Sequence, residues 1–112
     1  YKNKCAFTNS FLIYKNSNLL EAAHIIPVSQ GGSYEVTNGI LMTPDLHKAF
    51  DSGAITLNDN YEIIVSDDVA QENYLPDYRR IINLPDNEDE QPSLISVSYH
   101  RDRIYCNGII SK

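Results

Sequence analysis

The stretch TPDLHKAFDSG, residues 43 to 53, constrains the fold more than any other part of the chain. Thr43 is of a type that caps helix N-termini. Pro44 follows at the first helical position, where its missing N–H costs nothing. Asp45 lies in the first turn, facing the positive end of the helix dipole. Gly53 supplies a stop. A helix is therefore predicted to start at Pro44 and end before Gly53, with Leu46, Ala49 and Phe50 on its apolar side. His47 and Asp51, spaced i and i+4, share a face beside that apolar side.

The flanking segments are short and less explicit. FLIYK, residues 11 to 15, suits a strand, whereas LLEAAH, residues 19 to 24, shows neither a helical nor a strand period. PVSQGGSYEVTNG, residues 27 to 39, is a loop by composition. A loop of that length inside a compact domain usually has a task. Beyond Gly53, AITLNDNYEIIVS reads as a hairpin: Ile55 and Leu57 alternate, NDN turns, and Tyr61, Ile63 and Val65 alternate again. Ser66 with DDVAQEN suits a short helix start, and LPDYRRIINLP is a tight mixed segment. DNEDEQPS is an acidic, solvated loop. A helix is expected from about Pro92 to Arg103, although the alternation of Ile95, Val97 and Tyr99 also fits a strand.

Length and composition narrow the class. The chain has 112 residues, which implies one domain spanning 1–112. Hydrophobic residues make up 42%, enough for a modest core. No apolar run is long enough to cross a membrane. The start, YKNKCAFTNS, carries no initiating Met and no signal pattern. The chain thus reads as the C-terminal part of a longer protein, and as cytoplasmic. Cys5 and Cys106 read as free thiols in a reducing compartment, and no CxxC pair exists to build a thiolate zinc knuckle. The formal net charge is −6, which argues against a large electropositive groove. Residues 1–56 are balanced, with four lysines against four acids, and all the excess acid lies in residues 57–112.

The polar residues of 19–53 have a chemistry in common. His24 ends an apolar segment and is followed by Ile-Ile-Pro, so its surroundings are stiff. A neutral imidazole there can take a proton from water. His47 with Asp51 can hold a divalent cation, which would bind a phosphate oxygen and stabilise the leaving group. Asn38 cannot act as a base, but its amide can fix a loop or orient a histidine. Base, metal and orienter are the parts that phosphodiester hydrolysis needs. Singly, each residue has a plain structural reading as core histidine, turn asparagine or helix-surface pair. Their order and spacing together favour a site.

That combination resembles the HNH endonucleases. The matching residues are AAHIIP at 22–27, GG at 31–32, NGILM at 38–42 and DLHKAFDSG at 45–53, within a clear resemblance over 19–65. KCAFTN at 4–9 and YHRDRIY at 99–105 are weaker echoes. The resemblance implies an α+β fold: a ββα-metal core with an added β-hairpin and a C-terminal extension. It implies His24 as general base, Asn38 as brace of the long loop and His47 as metal ligand. Some members bind metal through the residue before the first histidine; here Ala23 stands there and can bind nothing. Colicin-like members use a residue one turn after the last histidine, which here is Asp51. Glu21 is a possible third ligand or a partner behind the ligands. The implied metal is Mg²⁺ or Mn²⁺, with Zn²⁺ or Ni²⁺ also admitted by histidine. The implied partner is duplex DNA, with a specificity domain elsewhere in the full-length chain. The four structural cysteines of many members are absent.

His100, in YHRDRIY, reads either as a surface histidine in an ion-pair network with Asp102 or as part of a phosphate-contacting patch. That patch would include Arg101 and Arg103, with Arg79 and Arg80 as similar candidates. The eight tyrosines can stack on bases but more of them suit the core or its rim. A non-catalytic interaction domain with a degenerate metal site is the alternative to a nuclease.

Overall fold

The computed structural model describes residues 1–67 and 80–105. Cys106, Arg79 and most of the short helix expected after Ser66 lie outside the described residues.

The helix announced by the sequence forms as α1, Pro44–Asp51, with Thr43 at the N-cap position and Gly53 at φ +83° just past its end. Thr43 caps by position only: its side chain makes no cap bond, and its Oγ1 is buried without a partner. Leu46 and Phe50 are 1% exposed, and Ala49 packs against the core beside them. Gly53 is required for space as well as conformation, because a Cβ there would come within 2.5 Å of the Ile104 carbonyl oxygen.

Ahead of α1 stand two antiparallel pairs. β1 (Ile13–Tyr14) and β2 (Ser17–Asn18) form a small hairpin whose turn residues Lys15 and Asn16 both have positive φ. β3 (Glu21–His24) pairs with β4 (Gly39–Met42), with Glu21 opposite Met42 and His24 opposite Gly39. The segment that showed no clear period is thus a strand. It is only four residues long, and one face is covered by α1. β3, β4 and α1 together make the ββα core.

The expected hairpin follows as β5 (Ile55–Leu57) paired with β6 (Ile63–Val65). The C-terminal extension is helical, not extended: α2 covers Leu94–Tyr99 and continues as a π-helical segment over His100–Tyr105. Ser93 decides the matter locally, since its hydroxyl accepts from the Ser96 amide as an N-cap. Val97 is buried while Ile95 is 81% exposed, so the alternation that fitted a strand is not used. Phe7, Ala23, Ile25, Ile40, Met42, Leu46, Phe50, Ile55, Leu57, Ile82 and Val97 form one core that joins the hairpin and the extension to the ββα unit. Among the described residues no helix is long and apolar enough to cross a membrane.

Candidate active site

The long loop between β3 and β4 is closed by one side chain. Asn38 is 3% exposed. Its Oδ1 accepts from the Ile26 amide at 2.9 Å, and its Nδ2 donates to the Ile26 carbonyl at 3.1 Å and the Ser33 carbonyl at 2.9 Å. Both amide polarities are used, so neither aspartate nor leucine could replace it without leaving buried groups unpaired. Gly32 lets the loop fold this tightly, because a Cβ there would overlap the Ile26 carbonyl. Asn38 therefore fixes the chain leaving His24 through Ile26 and does not touch the imidazole.

His24 sits at the end of β3, half-buried. Its ring meets Tyr34 edge-on, with centroids 5.4 Å apart. Among the described residues nothing hydrogen-bonds to either of its nitrogens. It lines a cleft of about 390 Å³ together with His47, Asp51, Pro27 and Gln30. The base candidate and the metal-ligand candidates thus open onto one space.

His47 has both nitrogens engaged. Nδ1 lies 2.7 Å from Glu21 Oε1, and Nε2 lies 3.1 Å from Asp51 Oδ2. The first contact spans 26 residues and depends on α1 crossing β3; the second is local to the helix. A neutral imidazole has one N–H. With that proton on Nδ1 and donated to Glu21, the Nε2 lone pair and an Asp51 oxygen face each other. Two lone-pair donors 3.1 Å apart suit adjacent corners of an octahedron with bonds of about 2.1 Å, the geometry of Mg²⁺. This donor set fits a hard, water-rich cation. Among the described residues no group of three or more His, Cys, Asp or Glu side chains has the spacing of an all-protein metal cage. Ala23 is fully buried in the core, so that position contributes packing and not a ligand.

His100 differs from expectation. It is 1% exposed and forms neither a surface ion pair nor a phosphate patch. Nε2 donates to the Phe50 carbonyl at 2.8 Å, since a carbonyl can only accept. Nδ1 then accepts from the Thr56 hydroxyl at 2.8 Å. The ring stacks on Phe50 with centroids 3.6 Å apart and planes 11° apart. Burial pushes its pKa down to about 4, against a smaller opposing effect of the Phe50 carbonyl. The described arginines do not line the cleft. Arg101 binds the Leu57 carbonyl and Asp59, and Arg80 binds Glu62, both partners on the β5–β6 hairpin. Arg103 is exposed and unpaired among the described residues.

Two further residues belong to the neighbourhood. The Tyr99 hydroxyl donates to Gln30 Oε1 at 2.7 Å, tying α2 to the cleft wall. Tyr34, against His24, was visible in the sequence only as an aromatic in a polar loop.

Residues 5–58 match the sequence profile of a family described as HNH endonuclease. Among curated proteins, none matches the chain in sequence. A solved structure described as a modification dependent TagI restriction endonuclease is similar in fold, with a TM-score of 0.74 at 19% identity. The likeness covers 92% of this chain and 34% of that one, so the chain spans about a third of its length. The profile match falls on the strands, loop and helix that assemble His24, Asn38, His47 and Asp51, so over residues 5–58 the chain is similar to the HNH endonucleases.

Proposed function

We propose that this domain, residues 1–112, cuts phosphodiester bonds of duplex DNA with the help of a divalent cation, as the nuclease part of a longer protein. The observation that carries this reading is the shared cleft: His24, with both nitrogens free of partners among the described residues, opens onto the paired lone-pair donors of His47 and Asp51. The match to the HNH endonuclease profile supports nuclease chemistry, and the restriction endonuclease of like fold supports DNA as the substrate.

In the proposed step His24 takes a proton from water through a ring nitrogen. The oxygen lone pair attacks phosphorus, the bond to the leaving sugar oxygen breaks, and that oxygen gains a proton from solvent. A cation held by His47 Nε2 and Asp51, Mg²⁺ or Mn²⁺ by its preference for oxygen and water, would supply positive charge to the phosphate and the leaving oxygen. Glu21 keeps the His47 proton on Nδ1 and so turns Nε2 toward Asp51. Asn38 holds the loop that keeps the cleft open beside His24.

The test is plasmid cleavage by the full-length protein. Cutting should appear with Mn²⁺ or Mg²⁺ and vanish with chelator. His24→Ala should lose about 10²- to 10⁴-fold in rate while keeping metal affinity. A variant that cuts at the wild-type rate removes His24 from the role of base. A wild-type protein that binds DNA and Mn²⁺ but never cuts would support the non-catalytic reading.

A further inference from the structure

Among the described residues, His24 lines two hollows at once. The first is the cleft of His47 and Asp51. The second, about 340 Å³, is bounded by Tyr1, Ala22, Tyr34, Val36, Ile40 and Leu41. Its character is different. Most of these residues are apolar, and the nearby side chains leave no free positive charge: Glu35 lines it, and Lys2 is already paired with Asp86 at 3.0 Å. A phosphate gains little there. A flat, uncharged group gains an apolar floor.

Tyr34 makes the hollow more than a gap. Its side chain is the most solvent-open aromatic near the cleft, at 80% exposed, so core packing does not account for its position. The backbone on both sides of it is pinned by Asn38: the Ser33 carbonyl accepts from Asn38 Nδ2 at 2.9 Å, and the Glu35 carbonyl accepts from the Asn38 amide at 2.9 Å. The ring is thus presented on a fixed loop beside the imidazole. A strand of nucleic acid that places a phosphate at His24 must continue past it, so the adjoining nucleotide needs a place.

We propose that this second hollow is a nucleoside subsite, which takes the sugar and base next to the scissile phosphate, the base leaving the duplex stack to lie on Tyr34. The proposal rests on the nuclease reading of the His24 cleft. Stacking on one aromatic tolerates any base, so the subsite positions the strand and does not read sequence.

The test uses the full-length protein and short duplexes carrying 2-aminopurine at successive positions, first in chelator so that nothing is cut. Wild-type protein should change the fluorescence at one or two adjoining positions. Tyr34→Phe should preserve the change and Tyr34→Ala should abolish it. With Mn²⁺, Tyr34→Ala should raise KM by about 5- to 100-fold, the range that loss of one stacked base gives. Val36→Glu, which puts a charge into the hollow without touching His24, should raise KM and leave kcat near wild type. Tyr34→Ala with lower kcat at unchanged KM would overturn the proposal, because the ring would then only orient His24. Unchanged kinetics and fluorescence would overturn it as well. If wild-type protein does not cut with Mn²⁺, the nuclease reading fails. The fluorescence arm still decides the subsite in that case: a response lost in Tyr34→Ala upholds it, and no response overturns it.

Discussion

His47 and His100 are alike in one respect: each has both ring nitrogens within hydrogen-bond reach of a partner. They differ in what the partners are and where they lie. His100 is bound by a hydroxyl and a carbonyl, both neutral, and its ring is sealed against Phe50. His47 is bound by two carboxylates that are about half exposed, Glu21 at 48% and Asp51 at 53%. Neutral partners in a dry place fix one tautomer and hold the fold together. Ionised partners in a wet place can be shared with a cation. On the proposed reading a fully engaged histidine is not thereby structural; the charge and exposure of its partners decide.

The two regions are also joined. The Phe50 carbonyl that accepts from His100 belongs to the last turn of α1, one residue before Asp51. Thr56, the other partner, lies on β5. His100 therefore anchors the C-terminal extension to the end of the helix that carries His47 and Asp51, as a second donor to a carbonyl that the Gly53 amide also reaches at 3.2 Å.

The largest effect expected from this contrast is on folding. His100→Ala removes a stacked, buried ring, strips the partner from the Thr56 hydroxyl and takes one of two donors from the Phe50 carbonyl. Cavity formation and unpaired polar groups together should cost about 3 kcal/mol or more. Urea unfolding measures it; a loss below about 1 kcal/mol would mean that the extension does not lock the core.

The pH dependence should come next in size. His100 titrates at about 4 in the folded chain, against an ordinary value of about 6.5 unfolded. Between those values the unfolded chain binds the extra proton, so stability rises with pH there. The contribution is fully present above about pH 6.5, declines as pH falls toward about 4, and is gone below it; the whole is on the order of 3 kcal/mol. Carboxylates titrate in the same window, so the readout is the difference between wild type and His100→Gln. Parallel pH profiles for the two proteins would exclude a buried neutral His100.

How these two histidines read in the sequence explains what was legible. α1 was legible in both position and face because Pro44 and Gly53 act on the backbone directly. The contact of His47 with Asp51 followed from it, being local to one helix turn. The β5–β6 hairpin was legible because alternation flanks a turn. β3 was not, since four residues give too little period. The extension was ambiguous because β-branched residues favour strands, while one serine cap and tertiary burial favour the helix. His100 was misread because Arg101, Asp102 and Arg103 mark a surface. Its burial comes from Phe50 and Thr56, 50 and 44 residues away, and no local pattern carries that. Glu21 was legible as a candidate, but its bond to His47 needed the strand register and the helix crossing.

Within the wet region the two carboxylates should separate. Asp51→Asn removes an anionic donor and should weaken Mn²⁺ affinity strongly. Glu21→Gln keeps the shape but loses the charge that holds the His47 proton, and should lower the cleavage rate by about 10- to 100-fold with a smaller loss of affinity. Calorimetric titration of both variants with Mn²⁺, alongside plasmid cleavage, distinguishes them. Equal affinity in Asp51→Asn and wild type would move the ligand role to Glu21 or elsewhere and leave Asp51 as a helix-end partner of His47.

The smallest expected effect bears most directly on the contrast, because it asks for near silence. In chelator, His47→Gln should change unfolding stability by no more than about 0.5 kcal/mol, since ion pairs this exposed are screened by solvent. His47 is only partly buried, and its partners can turn to water when it is gone. Addition of Mn²⁺ should then separate the proteins. A ligand that binds only the folded chain stabilises it by about 2.7 kcal/mol at a hundredfold excess over Kd, so wild type should gain and His47→Gln should not. The reverse result, a large loss in chelator with no response to Mn²⁺ in wild type, would make His47 a second His100: a histidine whose partners serve the fold alone.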